Sequence, residues 1–185
     1  QSEAEIAADS RRLQEMYHAI ATSPKPTLAR VHGAALAGGL GIVAACDVAL
    51  AHAGTKFCLS EVRLGILPAI IAPILLAKIG VTWFRYLALT AVTVDGEGAR
   101  AMGLVHELAT DDASLDARVT GFADLMVAAA PGAIAHCKEM IDDLVADPEQ
   151  ALLNDEMLHL NADARASAEG QEGLAAFMQR RKPKW

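Results

Sequence analysis

The sequence predicts an α/β fold whose final third is helix alone, and three observations carry that prediction. Short apolar runs of strand length alternate with helical segments through the first two-thirds of the chain. Beyond them only helical periodicity continues. The chain pivots on the stretch 31–68, where an apolar strand breaks at Gly33 and runs through Gly38, Gly39 and Gly41 into an apolar helix. Glycines at a strand-to-helix junction leave main-chain N–H groups bare where the helix dipole favours negative charge.

Residues 3–22 read as an amphipathic helix, with Ile6, Leu13, Met16, Tyr17 and Ile20 at helical spacing and the Pro24/Pro26 pair ending it. The run 27–32 is a short buried strand leading into the glycine turn. A helix then ends near Cys46 and Asp47, and a second strand, DVALAHA, follows. Phe57 and one acidic residue, Glu61, precede a Leu-Gly-Ile-Leu-Pro turn. Residues 69–80 form an apolar helix closed by Gly80, and 81–90 a second whose Trp83, Phe84 and Tyr86 are expected in the core. Asp95 is an N-cap for a helix over 96–102 that Gly103 stops, and 104–108 is a strand. Helices are expected over 113–130, 131–146, 148–168 and 170–181, and a basic tail, RRKPKW, closes the chain.

At 185 residues, 53% hydrophobic and 21% charged, the chain is long and apolar enough for a substantial core. Its net charge of −7 argues against a nucleic-acid groove. Three cysteines without CxxC spacing read as reduced core residues, with no disulfide framework and no zinc site. No run reaches the ~18 uninterrupted apolar residues of a membrane span. With no signal peptide read, a cytoplasmic location is expected.

The glycine cluster is neither a phosphate-binding P-loop nor a clean GxGxxG, and such a turn serves tight packing as readily as ligand binding. Most glutamates are solvated. Glu61 lies among Cys58, Leu59, Val62, Leu64 and Ile66, so a semi-buried proton-transfer group is the alternative. Asp47 reads as structural, His32 as packed, and the six histidines lack metal-ligand spacing. Ser60 has no nucleophile elbow around it. The terminal Arg180, Arg181, Lys182 and Lys184 read as a solvated tail or a holder of a phosphorylated ligand.

Four blocks, VHGAALAGGLGIVAACDVALA, TKFCLSEVRLGILP, TVDGEGARAMGLVHEL and GLAAFMQRRKP, resemble in order the signature of the enoyl-CoA hydratase/isomerase (crotonase) superfamily. The resemblance implies a crotonase-like α/β spiral of ββα turns over residues 1–110, with its first strands upstream of residue 1. It also implies an all-helical C-terminal trimerisation region over 111–185, and assembly as a homotrimer or a hexamer. The implied ligand is an acyl-CoA thioester, with coenzyme A as part of the substrate and no other cofactor, no metal, no nucleic acid and no membrane.

Residue by residue, Gly38 matches the family's backbone donor to the thioester oxygen, the other donor lying upstream of residue 1. Glu61 matches the second of two catalytic glutamates, while the position of the first is Gly41 here. Leu36, Ala37, Gly41 and Ile66 match substrate-contacting positions. Phe177 and Arg180 match positions reaching the CoA or acyl group of a neighbouring subunit, Arg180 standing where the family often has Lys. The apolar PAIIAPILL, with Gly41, is similar to bacterial 3-methylglutaconyl-CoA and carboxygeranoyl-CoA hydratases of leucine and acyclic terpene breakdown. The implied function is hydration of a branched 2-enoyl-CoA. The alternatives are a double-bond isomerase using Glu61 alone, and a non-catalytic assembly or RNA-binding relative.

Overall fold

The structure, a computed structural model, describes residues 2–146 and 155–185. It divides into two compact units, residues 1–23 with 27–123, and residues 24–26 with 124–185. The division falls inside a helix, beyond the expected 110/111 boundary.

The first unit opens with α1 (Glu3–Ala21), started by a capping box in which Ser2 and Glu5 satisfy each other's backbone N–H groups. The expected apolar stripe is only partly used. Tyr17 is buried and Ile20 packs against the core, whereas Ile6, Leu13 and Met16 face outward. Two parallel sheets follow. Strands β1 (Leu28–Val31), β3 (Val48–His52) and β5 (Glu107–Ala109) form one in the order β1-β3-β5. Strands β2 (Ala34–Leu36) and β4 (Lys56–Cys58) form the other, with Leu36 opposite Cys58. Parallel neighbours need a crossover, and β2 together with α2 (Gly38–Ala45) supplies it between β1 and β3. The central strand β3 is built from Ala49, Leu50 and Ala51, none exposed to solvent. Leu40, Phe57, Leu59, Leu75, Leu87 and Leu104 close the core around the α2 junction.

The helix α3 (Ala72–Thr90) has the length and apolarity of a membrane span. Gly80 breaks it with φ 71° and ψ 167°, a conformation open to glycine, so two helical segments stand where two were expected. Leu75, Ile79 and Leu87 bury one side of the pair in the core. The aromatic expectation is corrected here: Trp83 and Tyr86 stack edge to face, centroids 6.1 Å apart, on the exposed side, and only Phe84 packs inward. The core side of this short segment is already filled by Leu87 and Ala88.

Asp95 caps α4 (Gly96–Ala101) as expected, accepting from the Gly98 N–H. The following strand starts later than the sequence suggests. Leu104 and Val105 spend their N–H groups on the Ala99 carbonyl, closing α4, and the sheet is rejoined only where His106 N donates to Ala49 O. Cys46 and Cys58 are buried, but Cys137 is exposed and leaves the core expectation. His32 is likewise exposed, beside Arg30.

The second unit is helical. It holds the end of α5 (Asp112–Val127), then α6 (Pro131–Ala146), α7 (Glu156–Ala166) and α8 (Ala168–Met178). The expected helix over 148–168 begins outside the described residues. Glu169 of α8 accepts from the Gly132 and Ala133 N–H groups and so caps α6 from a distance. The helix α8 stops at Met178, short of 181, because the chain turns at Arg180 with φ 52°. Arg181 then grips Glu172 through two hydrogen bonds, of 2.5 and 2.8 Å, and the Lys184 N–H joins the same carboxylate. Part of the basic tail is therefore ion-paired within its own unit and is not free in solvent.

Candidate active site

The parallel pairing of β2 with β4 brings their carboxyl ends side by side, the place where open α/β sheets present ligand sites. From the end of β2 the chain enters Ala37 and Gly38. From the end of β4 it enters Leu59, Ser60 and Glu61. The Ala37 N–H donates to the Cys58 carbonyl at 2.9 Å and ties the two exits together.

Ala37 holds φ 46° and ψ −118°, in the region L-residues rarely adopt, and costs the fold strain. Its carbonyl accepts from both Leu40 N and Gly41 N, which keeps it there. The result is a tight entry into α2 in which the Gly38 and Gly39 N–H groups have no hydrogen-bond partner among the described residues. Two bare donors at a helix N-terminus make a receptor for a carbonyl oxygen that gathers negative charge. The other end of α2 is held by a cation. Lys78 Nζ donates to the Cys46 and Asp47 carbonyls at 2.9 and 3.0 Å. Burial pulls the Lys78 ammonium below its ordinary value, opposed by the nearby Asp47 charge. Asp47 is structural as expected: its carboxylate accepts from both the N–H and the hydroxyl of Thr27, at 2.6 and 2.8 Å.

Glu61 opens a 3₁₀ turn (Glu61–Leu64) that Gly65 ends in the left-handed region. It is 7% exposed, more buried than its neighbours suggested. Its Oε2 is buried and makes no hydrogen bond among the described residues. A buried carboxylate oxygen without a partner is costly in a purely structural role, and it is a recognised mark of a reacting group.

Between these two features stands Tyr17, a residue that sequence reasoning placed only as part of a helical stripe. Its hydroxyl donates to the Gly38 carbonyl at 3.0 Å. Burial, and then the charge of Glu61, raise its phenol above the ordinary value. The signal that marked it was slight: within that stripe, Tyr17 carries the polar tip.

Gly41 is buried, and the direction its side chain would take is occupied. A Cβ there would stand 2.5 Å from Ile71 Cγ2, 3.0 Å from Tyr17 Cε1 and 3.1 Å from Tyr17 Cζ. Leu36, at the end of β2, and Ile66, just past the Glu61 turn, are both exposed apolar side chains. Phe177 and Arg180 lie in the second unit, both exposed, at the end of α8 and in the turn beyond it. Among the described residues no group of three or more His, Cys, Asp or Glu stands together to hold a metal.

Comparison with known proteins gives a consistent result. The sequence profile described as "Enoyl-CoA hydratase/isomerase" matches residues 1–185. Enoyl-CoA hydratase AKT6-1 of Alternaria alternata is 36% identical over 128 residues, 69% of this chain and 43% of that protein. The chain therefore spans less than half the length of such curated relatives. An enoyl-CoA hydratase of Shewanella pealeana superposes with TM-score 0.93 at 34% identity, covering 100% of this chain and 69% of that one. AtuE of Pseudomonas aeruginosa superposes with TM-score 0.90 at 39% identity, covering 99% and 70%.

Proposed function

Because the chain belongs to the enoyl-CoA hydratase/isomerase family, we propose that it binds an acyl-CoA thioester and adds water across the double bond of a branched 2-enoyl chain. The observation that carries the reading is the buried, unpartnered Glu61 Oε2 at the exit of β4, beside the bare Gly38 N–H at the exit of β2.

In this mechanism the thioester oxygen accepts from the Gly38 N–H, with a second donor expected upstream of residue 1. Loss of one such donor commonly costs ~10²–10³ in rate. Glu61 takes a proton from water as the hydroxyl adds to C3, and an enolate forms with its charge on the thioester oxygen. The same carboxyl then returns that proton to C2. Proton transfer of this kind is worth roughly 10²–10⁴-fold. Leu36, Ala37 and Ile66 line the acyl group in this reading, with the exposed Leu64 and Leu67 flanking Ile66 in sequence. Phe177 and Arg180 serve the CoA or acyl group of a neighbouring subunit.

One observation favours a second reading. Tyr17 and Ile71 occupy the space that a side chain at 41 would need, so no second carboxylate stands there. A lone carboxylate suffices for a double-bond shift, in which Glu61 takes a proton from C2 of a 3-enoyl thioester and returns it to C4. An absorbance assay with crotonyl-CoA, 3-methylglutaconyl-CoA and a 3-enoyl-CoA, run beside Glu61→Gln, separates the two. Loss of conjugated-enoyl absorbance, strongest with 3-methylglutaconyl-CoA and with label entering from heavy-oxygen water, is the expected result. A gain of absorbance from the 3-enoyl substrate alone transfers the assignment to isomerase.

A further inference from the structure

Tyr17 has no part in the chemistry above, yet one side chain reaches both ends of the first turn of α2. It is 2% exposed. Its hydroxyl holds the Gly38 carbonyl at 3.0 Å, and its ring edge lies 3.0 Å from where a Cβ on Gly41 would stand. The Gly38 carbonyl belongs to the peptide that carries the Gly39 N–H, and its direction sets ψ at Gly38. A bond to it therefore fixes the Gly39 N–H directly and restrains Gly38, and through it the turn that carries the Gly38 N–H. The strained Ala37 on the other side of Gly38 makes that fixing necessary, because a strained turn persists only where its surroundings over-determine it.

We propose that Tyr17 is a positioning residue of the oxyanion site, its hydroxyl anchoring the Gly38–Gly39 peptide and so holding the Ala37–Gly38 turn in which the Gly38 N–H meets the developing enolate oxygen. The proposal rests on the reading of Gly38 as that donor. A space-filling role for the ring makes a different prediction, because Phe fills the same space.

The test uses the full-length protein and acetoacetyl-CoA, a 3-oxoacyl thioester that loses its C2 proton to buffer and whose enolate absorbs in the near ultraviolet. In Tyr17→Phe, the enolate-to-keto ratio of the bound probe at fixed pH is expected to fall about tenfold. In turnover, kcat falls by about the same factor and KM moves less than about twofold. Installing 3-fluorotyrosine at position 17, a stronger donor of nearly equal size, is expected to raise the ratio above wild type. If Tyr17→Phe does not fold, the fluorinated protein decides alone: a raised ratio supports the lock and an unchanged one overturns it. Wild-type behaviour of a folded Tyr17→Phe, with turnover still dependent on Glu61, overturns the lock and leaves the proposed function standing. No enolate signal in wild type, together with indifference to Glu61→Gln, removes both.

Discussion

Gly41 stands where the family resemblance places a first glutamate, and the structure gives a packing reason why none fits. Ile71 Cγ2 would lie 2.5 Å from its Cβ and the Tyr17 ring 3.0 Å away. Gly41→Glu is therefore expected to overpack the junction of α1, α2 and α3 and to lower stability by about 1–3 kcal/mol or more. It should bring no gain in hydration. Urea unfolding and kcat on the preferred enoyl-CoA check the two halves, and a stable variant with faster hydration would overturn the packing argument. Glu61→Gln is expected to behave oppositely. It removes a buried charge whose Oε2 lacks a partner, so the thermal midpoint should hold or rise while turnover falls by ~10²–10⁴. Activity and stability moving apart in this way is what distinguishes a reacting carboxylate from a structural one.

The helix α2 is short and apolar, and its geometry is imposed from outside itself. Ala37 and Tyr17 hold its first turn, and Lys78, with the Asp47–Thr27 pair beside it, holds the last. In the second unit, α8 is tied to the tail after it by Glu172, Arg181 and Lys184. The Arg181 guanidinium, with the Lys184 N–H, holds the Glu172 carboxyl down to about 2 from the ordinary 4.5. A depressed acid favours the folded state while it is ionised. Its contribution is complete above pH 4.5 and is lost as pH falls towards about 2. Glu172→Gln is expected to flatten the fall of the thermal midpoint across that acid range, measured against wild type in the same buffers. Equal slopes would show that the grip does not act on stability.

Taken whole, the chain leaves several large apolar side chains in solvent in each unit. Leu64, Leu67, Leu89, Val127, Phe177 and Met178 are each at least 73% exposed. The homotrimer or hexamer implied by the family resemblance is proposed to cover some of them. Light scattering on the full-length protein is expected to give a mass of three or six chains. Substituting Phe177 and Met178 together by polar residues is expected to weaken the assembly, and a monomer in the unsubstituted protein would count against it.

The sequence by itself determined the order of the described helices and of β1, β3 and β5, the break at Gly80 and the cap at Asp95, and it named Gly38 and Glu61 as candidates, but it did not mark β2 and β4 as strands. These are local matters: a glycine at positive φ, a capping carboxylate and an apolar strand entering a glycine turn leave their mark in neighbouring residues. The tertiary structure decided the rest. Trp83 and Tyr86 turned outward because Leu87 and Ala88 already filled the core side of their helix. β5 began late because Leu104 and Val105 were engaged in closing α4. Tyr17 joined the site because α1 packs across α2, a contact between residues 21 positions apart. Periodicity shows which side of a helix is apolar. Which residues of that side are covered, and by what, depends on surfaces far away in sequence, and those meet only in the folded chain.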